Sequence, residues 1–445
     1  MDKQPSARET HQPKLGNPAS LHKFFKTAHP VDIAAYFDNL EAEEAWSSLE
    51  TFSVEVQGRI FAYLKPETQV AIAANLDRHK LAEVMTSMSA DDRVDVFNRL
   101  DEQQREYLLP GLAQAEREDV RKLAAHEEGT AGAIMTSSYA TLNPELTARE
   151  AIKNLRLQAP DKETIYRAFV VDGASKLVGA VRLHDIILAR PNTKIKNIMN
   201  KSPVFVRLTD GQEAVAQTLS RYDMLALPVV DEDELLYGIV TYDDAFDALE
   251  EEATEDFHKI GTVGKMSESV KDASFFLLFR KRIGWLVLLV FGNLFSSAGI
   301  AYYEETIAAY VPLVFFLPLL IGSGGNAGAQ ASTLMVRALA TGDVFMRDWA
   351  KMLGREFLVG AALAVTMALA ITPISLMRGS YDIAQVVGIT MILVVISGSL
   401  IGMSLPFLLN KIKLDPATAS APLITTLCDG IGVILYFAIA TFILF

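Results

Sequence analysis

Residues 421–444 read APLITTLCDGIGVILYFAIATFIL, a run whose one charged side chain is Asp429. About 20 consecutive apolar residues let a helix cross a hydrocarbon core of roughly 30 Å, and this run is long enough. Four more such runs precede it, at about 283–303, 307–340, 355–377 and 383–410. The chain is therefore expected to carry a transmembrane domain of five helices over 281–445, which excludes a wholly soluble protein. Arg280, Lys281 and Arg282 precede the first run; Arg337, Arg347, Lys351 and Arg355 separate the second from the third; Lys411 and Lys413 separate the fourth from the fifth. The other mouth has Arg378 with Glu304, Glu305 and Asp382. Lys and Arg concentrate on the cytoplasmic side of a membrane. A plasma or inner cell membrane, an N-terminal portion in the cytoplasm and a C-terminus outside are the expectation.

Charge divides the chain at the same place. Of 41 basic and 54 acidic residues, 9 and 8 fall in 281–445, which leaves 32 and 46 in 1–280. The soluble portion is thus strongly acidic, in a chain of net charge -13. Nucleic-acid binding needs cationic surface that displaces counterions, so no nucleic acid is expected and cations are the natural partners. One cysteine, Cys428, excludes a disulfide framework and a Cys-rich zinc site. Residues 1–24 are polar and Pro-rich, the composition of a disordered tail with no cleavable signal peptide.

The soluble portion has two patterns. Over 25–127, segments such as LKPETQVAIAANL (64–76) and MSADDRVDVFNRL (88–100) place a turn or capping residue before acids and then periodic apolar residues. This predicts an all-α superhelical N-terminal domain of short helices. Over 128–250 the chain repeats itself. Ile134-Met135-Thr136 returns as Ile198-Met199-Asn200 at an offset of 64, while Val170-Val171-Asp172 returns as Val229-Val230-Asp231 at 59. Asp185 returns as Asp244 at the second offset, so five extra residues lie in the first copy near Ala159-Pro160-Asp161. Each copy, about 128–191 and 192–250, alternates strands and helices and resembles a CBS domain. The resemblance implies an α/β tandem CBS pair, which in many proteins senses an adenine nucleotide. Between this pair and the membrane domain, 251–280 reads as a connecting helix with the acidic cluster Glu250–Asp256 near its start.

Two intramembrane features carry chemistry. Gly322-Ser323-Gly324-Gly325-Asn326-Ala327-Gly328-Ala329-Gln330 allows close helix packing or a polar lining. Asn326 and Gln330, four apart on one face, favour the lining. Asp429 costs on the order of 3 kcal/mol at bilayer depth and marks an ion or proton path. Pairing with a second carboxylate for proteolysis is disfavoured. Tyr381-Asp382 sits at the mouth of a span, and the order Asp429-Gly430-Ile431-Gly432 is not the Gly-x-Gly-Asp of intramembrane aspartyl proteases. No Ser-His-Asp set, P-loop or HExxH was found, so an enzyme is not expected.

Together, HEEGTAGAIMT (126–136), EEATEDFHK (251–259), PLLIGSGGNAGAQASTLMVRALA (318–340), LDPA (414–417) and APLITTLCDGIGVILY (421–436) resemble the MgtE family of magnesium channels or transporters. The resemblance implies a homodimer in the lipid bilayer with the ion path between protomers, and Mg²⁺ at Asp429, Asn326 and Gly325. It also implies cytoplasmic sensing of Mg²⁺ by Asp91, Asp95, Glu213, Asp223, Asp244 and Asp247, by Glu252, Glu255 and Asp256 on the connecting helix, and by Asp415. ATP at the CBS pair is a further implication. Transport of Mn²⁺ or Co²⁺ is one alternative, since oxygen ligands suit several hard cations. A membrane-anchored CBS nucleotide sensor is another.

Overall fold

The structure is a computed structural model that describes residues 24–264, 266, 270 and 273–445; apart from Phe24, the tail expected over 1–24 lies outside them. The chain falls into two compact units, with the boundary between Leu249 and Glu250.

The first unit opens with short helices: α1 (Pro30–Phe37), α2 (Ala42–Leu49), α3 (Val54–Ala62), α4 (Pro66–Asn75), α5 (Arg78–Thr86), α6 (Ala90–Arg99), α7 (Glu102–Leu108) and α8 (Gln114–Leu123). Their starts are written locally. Asp77 accepts hydrogen bonds from the His79 and Lys80 amides, Pro66 stands in the first turn of α4, and Asp101 forms a capping box with Gln104. None is long enough to persist alone, so packing holds them. Phe37, Leu49, Ile60, Phe61 and Met85 are fully buried, each contributing about 1.5–3 kcal/mol. Two buried polar side chains tie helix ends together. Arg93 donates to the carbonyls of Met85 and Met88 at 2.8 and 3.0 Å, and Gln69 donates to that of Phe61 at 2.8 Å. Such bonds offset the cost of burying the side chains.

The sequence repeat folds as two α/β modules. The first has β1 (Tyr139–Leu142), α9 (Ala148–Gln158), β2 (Thr164–Val171), β3 (Leu177–Arg182) and α10 (Leu183–Leu188). The second has β4 (Val206–Arg207), α11 (Gln212–Arg221), β5 (Ala226–Val230) and β6 (Leu236–Thr241). Sheet order is β1-β2-β3 in one and β4-β5-β6 in the other, with a parallel and then an antiparallel pair in each. Val170 pairs with Gly179 in the first, and Val229 with Gly238 in the second. The segments before the two modules are exchanged. Thr136 bridges to Ile239 of the second sheet, and Asn200 to Ala180 of the first. A Cβ on Gly238 would lie 2.7 Å from Met135 Sδ, and one on Gly179 2.7 Å from Met199 Sδ. The two sequence offsets thus meet at one pseudo-twofold joint. Apolar side chains of α1–α8 share one continuous core with Val215, Leu219, Leu227, Val229 and Val240 of the second module.

After β6 the chain enters α12 (Tyr242–Ile260). The connecting helix therefore starts inside the second module and stops at Ile260, where the sequence reading extends it to 280. Its end has a physical cause. Thr262 is left-handed at φ 57°, and the Val263 amide donates back to His258 O at 2.8 Å, closing the helix with a Schellman turn.

Five helices of the second unit are long and apolar enough to cross a membrane: α13 (Phe275–Tyr302), α15 (Pro312–Ala340), α16 (Trp349–Arg378), α17 (Tyr381–Lys411) and α18 (Ala421–Leu444). A short α14 (Glu304–Ala309) separates α13 from α15, because Pro312 opens a new helix. The helices reach past the apolar runs and take in Arg280–Arg282, Lys351 and Arg355 within about two turns of their ends. A small-residue seam joins α15 to α17. A Cβ on Gly398 would lie 2.2 Å from Gly324 O, and one on Gly402 2.0 Å from Gly328 O. Only glycine allows such backbone contact. On the adjoining face Gly325 lies against Thr425, and Gly328 against Ile424 and Cys428, all of α18.

Candidate functional site

Three polar regions remain once the cores are accounted for. The first is a cleft of about 1080 Å³ in the soluble unit, lined in part by Asp91, Asp92, Glu116, Glu163, Asp243, Asp244 and Asp247. The start of α6 presents Asp91 and Asp92, and the first turns of α12 present Asp243, Asp244 and Asp247. Thr241 donates its hydroxyl to both Asp243 and Asp244. Burial, and then the Asp91 carboxylate, push Asp244 up to about 8. Burial followed by Asp91 pushes Glu163 up to about 7, and burial followed by Asp92 raises Asp91. Among the described residues, Asp91 Oδ1 and Glu116 Oε2 are buried with no hydrogen-bond partner. Like charges held this close, with oxygens left unpaired, are stabilised by a proton or a cation. Among the described residues no three His, Cys, Asp or Glu side chains form a finished ligand set. The carboxylates are gathered rather than closed around a point.

Of the sequence-predicted sensor residues, Asp91, Asp244 and Asp247 come together here. Asp95 turns outward to an ion pair with Arg99 at 3.2 Å. Glu213 is half-buried on α11 and accepts from Gln217, and Asp223 is exposed in a left-handed conformation at φ 48°. Sequence reasoning passed over Asp92, Glu116, Asp243 and Glu163. The signal for Glu163 was present: the five extra residues of the first repeat follow α9, and Pro160–Glu163 form one wall of the cleft.

The second region is the end of α12. Lys259 forms ion pairs with Glu255 and with Asp415, in the turn before α18. Burial alone would lower the Lys259 ammonium, but its bonds to Asp415 and Glu255 outweigh that and hold it above the usual lysine range. Asp256 is half-buried and raised, first by burial and then by Asp415. Ile260 packs against Val336, Ala417 and Ala419. Four sequence-predicted residues therefore lie on or beside this junction: Glu255, Asp256 and Asp415, with Glu252 one turn earlier. The sequence reading missed the cation at their centre.

The third region is inside the membrane helices. A Cβ on Gly325 would lie 3.1 Å from Thr425 Cγ2 of α18, while Gly432 approaches Ile321. The two helices are thus antiparallel neighbours, and half-buried Asp429 falls between those levels, beside the Gly322–Gly325 turn. Gly325 is buried, Asn326 and Gln330 are exposed on one face of α15, and Cys428 is buried against Gly328. Gly324 and Gly328 serve packing; Asn326 and Gln330 do not. A second carboxylate also sits within a membrane helix. Glu356, in the second turn of α16, accepts a 2.7 Å hydrogen bond from Ser399 of α17.

A multi-pass membrane protein with polar intramembrane helix faces, an acidic soluble cleft and a paired α/β module defines a class: membrane transport proteins with a large soluble domain. Comparison with known proteins agrees. A divalent cation transporter family, MgtE, matches residues 317–439, the MgtE intracellular N domain matches 28–129, and the CBS domain matches 131–192 and 195–251. The chain is 36% identical over 432 residues to the magnesium transporter MgtE of Thermus thermophilus, covering 96% of each. It is 31% identical over 413 residues to that of Bacillus subtilis, covering 93% of this chain and 91% of the relative. Among solved structures, the cytosolic domain of the Mg²⁺ channel MgtE in complex with ATP matches at a TM-score of 0.50 and 35% identity, over 52% of this chain and 95% of that one. The soluble part of a magnesium transporter matches at a TM-score of 0.50 and 32% identity, over 53% and 93%. The chain belongs to the MgtE family. It is a transporter and not an enzyme, with a helical N-terminal domain, a CBS pair and a multi-pass membrane domain.

Proposed function

We propose that the protein is a homodimeric, Mg²⁺-selective channel that imports magnesium and closes when cytoplasmic Mg²⁺ fills its acidic surfaces. The observation that carries this reading is the outward polar face of α15, where Asn326 and Gln330 are exposed, on the helix that packs against the one bearing half-buried Asp429. Carboxamides and a carboxylate are costly against lipid. A second copy across a twofold axis gives them a watery seam instead, with two copies of Asp429 facing one path. Mg²⁺ dehydrates reluctantly and prefers octahedral oxygen ligands, so two carboxylates touching a hydrated ion suffice. A membrane potential of about 100 mV, negative inside, contributes roughly 4.6 kcal/mol to entry of a dication. Import then runs downhill.

Gating uses the soluble acids, with the N-terminus in the cytoplasm as the Lys and Arg bias supports. Without cation, the carboxylates of α6 and of α12 repel across the cleft. Mg²⁺ bound among Asp91, Asp244 and Asp247 neutralises them, and Mg²⁺ near Glu252, Glu255, Asp256 and Asp415 secures the end of α12. Binding the closed form more tightly shifts the equilibrium towards it. Asp95, Glu213 and Asp223 belong to the proposed sensor only through the family resemblance. The magnesium transporters in the comparison support Mg²⁺ as cargo, and the ATP-bound cytosolic relative supports a nucleotide at the CBS pair, for which we assign no residues.

Current recordings with varied internal Mg²⁺, and with Mn²⁺ and Co²⁺ as competitors, test this reading. Wild-type current is expected to fall as internal Mg²⁺ rises. A variant with Glu252, Glu255 and Asp256 all changed to their amides is expected to lose that inhibition. Normal inhibition in the variant would remove these residues from the sensor, and equal permeation by Mn²⁺ would remove the selectivity.

A further inference from the structure

An apolar groove of about 810 Å³ opens on the outer surface of the helix pair α16 and α17, at the ends that carry Trp349 and Lys411. Met346 and Trp349 line one wall, Ile401, Leu405 and Leu408 the other, and Lys411 stands at the rim. Trp349 is 41% exposed and Leu408 54%, so the slot is open to its surroundings rather than filled by the chain's own core. Its size falls within the roughly 300–1,000 Å³ of small-molecule sites. Because α16 and α17 are antiparallel neighbours, the start of one and the end of the other share a single membrane boundary, the depth at which tryptophan concentrates.

Charge at this boundary is one-sided. Arg347, Lys351, Arg355, Lys411 and Lys413 are all exposed here. The acids on these elements are fewer, Asp343, Asp348 and Glu356 against those five cations, and each is held by a local bond: Asp343 accepts from Thr341, Asp348 from the Phe345 amide at 3.0 Å, and Glu356 from Ser399. An apolar slot under a cationic rim matches a ligand with a hydrocarbon chain and a negatively charged head. We infer that this groove binds an anionic phospholipid, its acyl chain between Trp349 and Leu408 and its phosphate facing Lys411. A zwitterionic lipid would leave the basic rim uncompensated, and a protein partner gives no reason for the cations.

The chain has three tryptophans, so changing Trp46 and Trp285 to Phe leaves Trp349 as the sole reporter. The full-length protein is placed in phosphatidylcholine vesicles containing either dibrominated phosphatidylglycerol or an equal share of dibrominated phosphatidylcholine. Bromine quenches indole emission on contact. Trp349 is expected to be quenched several-fold more strongly by the anionic lipid, and Lys411→Glu to abolish the difference. Equal quenching by the two lipids without the Lys411 change would overturn the proposal. So would emission shielded from both, the signature of a second protein chain seated in the groove.

Discussion

Asp244 shows how much one buried carboxylate reports. It is held at about 8 in the folded protein against 3.8 ordinarily, and Glu163 at about 7 against 4.5. Both native values are raised, so the folded state binds these protons more tightly than the unfolded chain. The stability they contribute is complete below about 4 and is lost as pH rises towards about 8. In metal-free buffer, thermal unfolding of the soluble unit is expected to shift downward across that window. Asp244→Asn is expected to flatten the curve, and added Mg²⁺ to restore stability at high pH. An identical pH slope in the variant would contradict the cleft electrostatics. Lys259 makes a similar point at the junction it shares with Glu255 and Asp415. Lys259→Met removes the ammonium that pairs with those two acids. Limited proteolysis between α12 and α13 is expected to become faster in the variant without Mg²⁺ and to return to the wild-type rate with it. Equal rates without Mg²⁺ would show that the ammonium does not hold this joint.

Among the elements, the α15–α17 seam fixes where the polar residues point. Gly402→Ala would drive a Cβ to within 2.0 Å of Gly328 O, and overpacking of this kind costs about 1–3 kcal/mol. A lower melting temperature and loss of transport together are the expected result, measured by size-exclusion thermal stability and by flux; unchanged stability would contradict the close contact. Elements were also where the sequence was most and least informative. The five apolar runs and the doubled module were legible because periodicity and self-similarity are local. The end of α12 was not, because it depends on a left-handed Thr262, a conformation no residue type at that position announces. Nor was the cleft. Asp91 is spotted in an acidic background only as one acid of many, and it is the fold that sets it against Asp244 and Glu163 from two other segments. Gly324 and Gly328 read equally well as lining or packing, and only the helix neighbours decide.

At the scale of the whole molecule, the account depends on two chains sharing one path. Cys428 is the single native cysteine and is buried, so a Cys428→Ser background gives a clean test of that symmetry. In it, Asn326→Cys is expected to form a disulfide-linked dimer under mild oxidation in membranes, while Leu369→Cys, exposed on α16, is expected to stay monomeric. The reverse pattern would place the twofold seam on another face. The most direct measurement is Mg²⁺ uptake into liposomes by the wild-type protein and by Asp429→Ala, with matched protein amounts and a fixed membrane potential. The account predicts that uptake in the variant falls to the level of empty liposomes; uptake equal to wild type would contradict it.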